Sequence, residues 1–327
     1  MKDNVFFLFP GQGAQYPGMG LDLLEQAPQN SGGEKVKRLL SLASEIAGKD
    51  MADLIANSSP EILKRTDISQ PAITLVNLAA MAYLEAVGIK PSGAAGFSLG
   101  EYSALAAAGV ISEEDCLFLV NKRGIAMQAA IDNIPPGPSA PGMAAVTGLA
   151  PEQVEALIKE WKNSGLKDLN AANFNSQRQV VISGSAAALA EAEKRFKEAG
   201  AKRCLRLQVA GPYHSPFMTE AAREFSIYLD KTEFKDPAIP LFSNVSGKQI
   251  FSGNEAKTLA HMHMLEGVRW TDEEAAIAQL QPALLLEAGP GSVLRNLWKD
   301  TGSAIPCHMA GTVEEINKLI NKQPEEK

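Results

Sequence analysis

Cysteine is scarce: Cys116, Cys204 and Cys307 are the only three in 327 residues, and no two stand at metal-knuckle spacing. That excludes a disulfide-stapled secreted scaffold and a zinc ribbon, and it fits a reducing, cytoplasmic compartment. Long apolar runs are missing as well. The stretch ALAAAGVI is bracketed by Glu101 and Glu113, well short of the roughly 20 apolar residues of a membrane-spanning helix. Val5–Phe9 is cut off by Pro10 and Gly11, too soon for a secretory signal, and reads as a strand. Positive charge is also short: 31 Lys and Arg stand against 38 Asp and Glu, a net charge of -7. Nucleic acid is therefore not an expected partner, because phosphate neutralisation needs a basic face.

What remains is a chain with globular composition, 45% hydrophobic and 21% charged. It is long enough for one large domain and a smaller companion. Short β-type runs at Val5–Phe9, Gly93–Phe97, Gln179–Ser183 and Ala283–Glu287 alternate with helical stretches, among them Ile68–Ala86, Gly100–Ala108, Glu113–Ile131 and Thr219–Lys231. This alternation predicts an α/β fold with a mostly parallel sheet. The segment Ile134–Gly142, with four prolines and two glycines, cannot continue the helix before it and marks a domain junction. Beyond it the pattern reads strand, helix, strand, strand, helix, strand, the order of a ferredoxin-like unit. The first strand of that unit is Met143–Gly148, the second Leu169–Ala172 and the last Lys202–Leu207. The expected organisation is thus a large hydrolase-like α/β domain from residues 1–139 and 208–327, with a small domain at 140–207 inserted. The tail from Asn321 is polar and charged.

Gly96-Phe97-Ser98-Leu99-Gly100 matches G-x-S-x-G between a strand-like run and a helix-like run, the setting of a nucleophile elbow. The bland reading of this pentapeptide is a Gly/Ser turn without chemistry. A serine nucleophile needs a base, and the chain has four histidines: His214, His261, His263 and His308. His214 is the strongest candidate because it lies in a loop between a strand and a helix, where α/β active-site groups collect. The glycine turn after the first strand, with Gln12 between two glycines, can present amides to an oxyanion. It lacks the spacing of a dinucleotide or triphosphate loop. Arg123 falls on an apolar-faced helix. A shielded guanidinium requires an anion, either an internal acid or a carboxylate on the substrate.

Six segments, FPGQGAQYPGMG, GFSLGEYSALAAAGVIS, KRGIAMQ, NFNSQRQVVISG, GPYHSPFM and LLEAGPGSVL, follow one another along the chain. Together they resemble the malonyl-CoA:acyl carrier protein transacylase family over nearly the whole length. The resemblance implies transfer of a malonyl group from coenzyme A to the thiol of an acyl carrier protein, in fatty acid or polyketide biosynthesis. No metal or tightly bound cofactor is implied; the coenzyme A thioester is a substrate. Ser98 is then the nucleophile and His214 its general base, oriented by the backbone carbonyl of His263 in HMHMLEGVRW. The amides of Gln12 and Leu99 form the oxyanion hole, and Arg123 pairs with the malonyl carboxylate. Asn175 and Asn244 line the cleft, and Lys202 and Arg203 stand where coenzyme A phosphates or the carrier protein approach.

The chain departs from the family pattern at Phe97, where the family has histidine, at Tyr213, where phenylalanine is frequent, and at His263, where glutamine is usual. Phe97 cannot donate a hydrogen bond, so it is expected to reshape the acyl pocket or weaken the grip on a carboxylate, with Arg123 left to carry the charge. These departures leave open a different acyl preference and a binding module that kept the fold without the reaction, and the same elbow leaves open a serine thioesterase or hydrolase.

Overall fold

A computed structural model describes residues 4–25, 31–135, 137–209 and 211–321; Pro136, inside the proline-rich junction, and the tail after residue 321 lie outside the described residues. Ten strands are present among the described residues: β1 (Val5–Phe9), β2 (Gly93–Gly96), β3 (Gly142–Thr147), β4 (Asn170–Ser176), β5 (Gln179–Gly184), β6 (Arg203–Arg206), β7 (Leu241–Phe242), β8 (Gln249–Ile250), β9 (Leu284–Glu287) and β10 (Cys307–Met309). They form two sheets. One has six strands in the order β10-β9-β1-β2-β7-β8, parallel except for the β7–β8 pair, and the other has four in the order β4-β5-β3-β6, all antiparallel. The protein has a mixed α/β fold of the hydrolase-like kind. Helices Pro151–Asn163 and Ala186–Glu198 pack on one face of the second sheet, where Val146, Ile158, Trp161, Ile182 and Phe196 build a core of their own.

The composition of the central strands follows from what covers them. All five residues of β1 are buried, as expected for a parallel strand covered on both faces, and the run Val-Phe-Phe-Leu-Phe supplies only apolar side chains. The neighbouring β2 is Gly-Ala-Ala-Gly for the opposite reason. A Cβ on Gly93 would sit 2.0 Å from the Phe6 ring, and one on Gly96 would sit 2.1 Å from the backbone of Gly100. Large side chains on β1 thus require small ones on β2. Helix Thr66–Ala86 lies within the core, buried from Thr66 to Tyr83 apart from Asp67. Its Asn77 amide reaches the Pro10 carbonyl at 3.0 Å and fixes the turn after β1.

The second strand of the small sheet runs to Ser176, four residues past the expected Ala172. Asn173 and Asn175 carry weak β-propensity, yet pairing with β5 continues through two register shifts. A parallel bridge between Asn173 and Val268 ties this strand to the other sheet's side of the molecule. Phe174 N donates to Val268 O at 2.8 Å, and Val268 N donates to Ala172 O at 2.9 Å.

The turns after β1 and β2 touch backbone to backbone. A Cβ on Gly11 would lie 2.2 Å from Phe97 O, and one on Gly100 would lie 1.9 Å from Phe9 O. No rotamer relieves a clash with main chain. Gly100→Ala is therefore expected to lower stability by about 3 kcal/mol or more in a denaturant titration. An unchanged midpoint would show that the two turns can separate freely.

Candidate active site

The carboxyl ends of β1 and β2 open onto a cavity of about 360 Å³, lined among others by Gln12, Phe97, Ser98, Arg123, Tyr213 and His214. This is the edge of a parallel sheet where α/β proteins bind ligands. The facing wall comes from the antiparallel sheet through Met143, Asn173 and Val181.

Ser98 stands between β2 and helix Gly100–Ala107 with φ of 49°, a left-handed conformation that a non-glycine residue adopts only under constraint. Three contacts hold it. Its N–H donates to Asn244 Oδ1 at 2.6 Å, the Asn244 side chain donates to Gly96 O at 2.7 Å, and the Asn244 N–H donates to Glu101 Oε2 at 2.7 Å. The Ser98 hydroxyl lies 2.8 Å from His214 Nε2.

His214 is also left-handed, with φ of 52°, and only 5% exposed. Its Nδ1 stands 3.0 Å from His263 O and 3.0 Å from Glu266 O. Carbonyls accept only, so the proton sits on Nδ1 and leaves Nε2 free to accept from Ser98. These carbonyls are available because helix Gly253–Met262 ends there, with His263 as its C-terminal cap. The orienting role usually taken by a carboxylate falls to main chain. Burial above all, then the neighbouring His263 and Arg123, pushes the His214 imidazole down to about 3.

The amides of Gln12 and Leu99 take part in none of the turn and cap hydrogen bonds among the described residues. Both lie where backbone contact brings the β1 turn to the elbow. The Gln12 side chain donates to Tyr213 Oη at 3.3 Å, linking that turn to the histidine loop. Phe97 packs edge-on against Trp270, centroids 5.5 Å apart, beside Ser98 on the cavity wall.

Arg123 is 1% exposed yet lines the cavity. Nη1 donates to Gln70 Oε1 at 2.9 Å, Nη2 lies 3.5 Å from His263 Nδ1, and Nε has no partner. Among the described residues no carboxylate comes within salt-bridge distance of it. Of the two anions that the sequence leaves open, the internal acid is not paired with Arg123 among the described residues.

The structure does not bring every expected residue to this cavity. Asn244 lies beneath Ser98, 1% exposed, as its scaffold and not on the cavity wall. Asn175 turns to Gln179, 2.9 Å away, and Asn173 lines the cavity instead, because the register shifts in β4 alter which side chain faces it. Lys202 lines a separate groove with Arg178 and Asp300, and Arg203 is exposed on edge strand β6. Lys64 is an exposed cation at the cavity. Sequence reasoning also passed over Gln70, Glu101, Glu266 and Glu273. The Glu273 carboxyl accepts from Asn244 at 2.7 Å, and burial with Glu101 nearby holds it well above the usual carboxylate range.

A serine at a strand-to-helix elbow with an imidazole on its hydroxyl is the site of an α/β enzyme that works on acyl groups. The acyl transferase domain model matches residues 6–322, and the chain belongs to that family. It is 35% identical over 323 residues to the malonyl CoA-acyl carrier protein transacylase of Bacillus subtilis, covering 99% of this chain and 98% of that one. The malonyl CoA-acyl carrier protein transacylase of Coxiella burnetii superposes with a TM-score of 0.88 at 31% identity, over 98% of both chains. A type II PKS acyl-carrier protein in complex with its malonyl-transacylase, PlMCAT:AntF, matches with a TM-score of 0.87 at 32% identity, over 98% of this chain and all of that one.

With the imidazole held neutral, its base form persists as pH falls through the ordinary histidine range. The rate of Ser98 acylation, followed by quenched intact mass, is expected to stay flat from pH ~8 to ~5. A loss centred near pH ~6.5 would mean that His214 is solvated.

Proposed function

We propose that the protein transfers a malonyl group from malonyl-CoA to the phosphopantetheine thiol of an acyl carrier protein, in fatty acid or polyketide synthesis, through an ester on Ser98. The observation that carries this reading is Arg123: a buried guanidinium without an acid partner among the described residues, in one cavity with Ser98. The names of the relatives, and the carrier protein bound to the PlMCAT neighbour, supply the donor and the acceptor class.

In the proposed cycle His214 Nε2 takes the Ser98 proton as Oγ attacks the thioester carbonyl. The oxyanion is met by the amides of Gln12 and Leu99. Collapse breaks the C–S bond, and His214 returns its proton to the departing coenzyme A thiolate. The carrier thiol then enters, gives its proton to His214 and attacks the ester; Ser98 regains the proton as it leaves. Arg123 holds the malonyl carboxylate through both halves. A thioester is already activated, so the scheme needs neither a metal nor a bound cofactor. The same reading places the reaction in the cytoplasm, on cysteine usage alone.

Two measurements test this. Ser98→Ala is expected to gain no mass with malonyl-CoA, and a malonyl adduct on that variant would exclude the serine ester. Arg123→Ala is expected to lose about 2 to 4 kcal/mol in kcat/KM for malonyl transfer and much less for acetyl transfer. Equal losses would assign Arg123 to the fold alone.

A further inference from the structure

The cycle above uses only the backbone of His263, but its imidazole, 1% exposed, lies between the two halves of the site. Nδ1 is 3.5 Å from Arg123 Nη2. Nε2 is 3.4 Å from Glu101 Oε2 and 3.4 Å from Asn244 Oδ1. The rings of Tyr102 and His214 each stand edge-on to it, with centroids 5.7 Å away in both cases.

Arginine donates and never accepts, so the nitrogen facing it carries a lone pair. The proton then belongs on Nε2, where two oxygens wait. Asn244 Oδ1 is the same atom that holds the Ser98 N–H, and Glu101 Oε2 holds the Asn244 N–H. Arg123 is thereby referenced to the platform under the nucleophile, with Gln70 fixing its other terminal nitrogen.

We propose that the His263 side chain is a positioning residue for acyl selection: it sets the guanidinium of Arg123 at a fixed reach from Ser98, so that a carboxylate on the acyl group is recognised only where the thioester carbonyl meets the hydroxyl. The inference rests on the reading of Arg123 as the carboxylate receptor. At 3.5 Å the contact places the guanidinium more than it binds it. Placement is what selectivity between acyl chains requires.

The role asks for one acceptor and one donor on a planar group. Glutamine supplies both through its carboxamide, and leucine supplies neither. The backbone carbonyl that orients His214 is present in every variant. The test compares kcat/KM for malonyl-CoA and acetyl-CoA in the wild type, His263→Leu, His263→Gln and Arg123→Ala, each checked for folding by thermal melt. The malonyl-to-acetyl ratio is expected to fall about tenfold or more in His263→Leu and to recover to within about threefold of wild type in His263→Gln. An unchanged ratio in His263→Leu overturns the proposal, and so does a ratio in His263→Gln as low as that of the leucine variant. If Arg123→Ala is selective against malonyl while His263→Leu is not, the positioning role fails and the receptor stands. Equal malonyl and acetyl losses in Arg123→Ala remove the receptor itself. Should the leucine variant not fold, His263→Asn, which reaches one side only, takes its place with the same criteria.

Discussion

The site depends on main chain lying against main chain without intervening side chains. Gly11 meets Phe97 O, Gly96 meets Gly100, and Gly100 meets Phe9 O, each at a distance no Cβ would survive. That contact brings the glycine turn that holds Gln12 up against the elbow, beside the amide of Leu99. It also forces Ser98 into a left-handed conformation, a cost of roughly 1 to 3 kcal/mol. The Asn244 side chain offsets part of this cost by taking the Ser98 N–H and binding Gly96 O just before it. The elbow is thus clamped on both sides of its bend by one asparagine from a distant loop.

Beneath the elbow the electrostatics are arranged to leave one cation unsatisfied. Glu273 is driven toward its neutral form by burial and by Glu101, so it adds no second charge to the platform. Glu101 spends its Oε2 on Asn244 and on the His263 side. Arg123 is left with an uncharged amide and an imidazole as neighbours. A desolvated guanidinium in that position attracts an anion far more strongly than one already paired. Among the described residues, these carboxyls shape the platform under Ser98 without pairing with Arg123.

Elements and motifs with a local signal were legible in the chain. β1 is a continuous apolar run, and G-x-S-x-G sits between strand and helix, so Ser98 could be singled out from its neighbours in sequence. His214 could be reached by elimination among four histidines, and the structure brings the two side chains together. Contacts that join distant segments were not legible. Glu101, Asn244 and Glu273 meet only through folding, and each alone is an ordinary polar residue. The carbonyl of Glu266 carries no side-chain signal at all. Asn173 faces the cavity in place of the expected Asn175 because a bulge shifts strand parity, which a period-two pattern does not reveal. Lys202 and Arg203 are basic residues near the end of a strand, and nothing local tells which end of the sheet that strand presents.

The bridge between Asn173 and Val268 has a mechanical consequence. Val268 is two residues from Glu266, whose carbonyl steadies the His214 ring, and the strand it grips forms the far wall of the cavity. A swing of the antiparallel sheet away from the parallel one would drag this segment with it and slacken the tether on the imidazole. Widening the cleft at that edge and keeping the base aligned are therefore opposed.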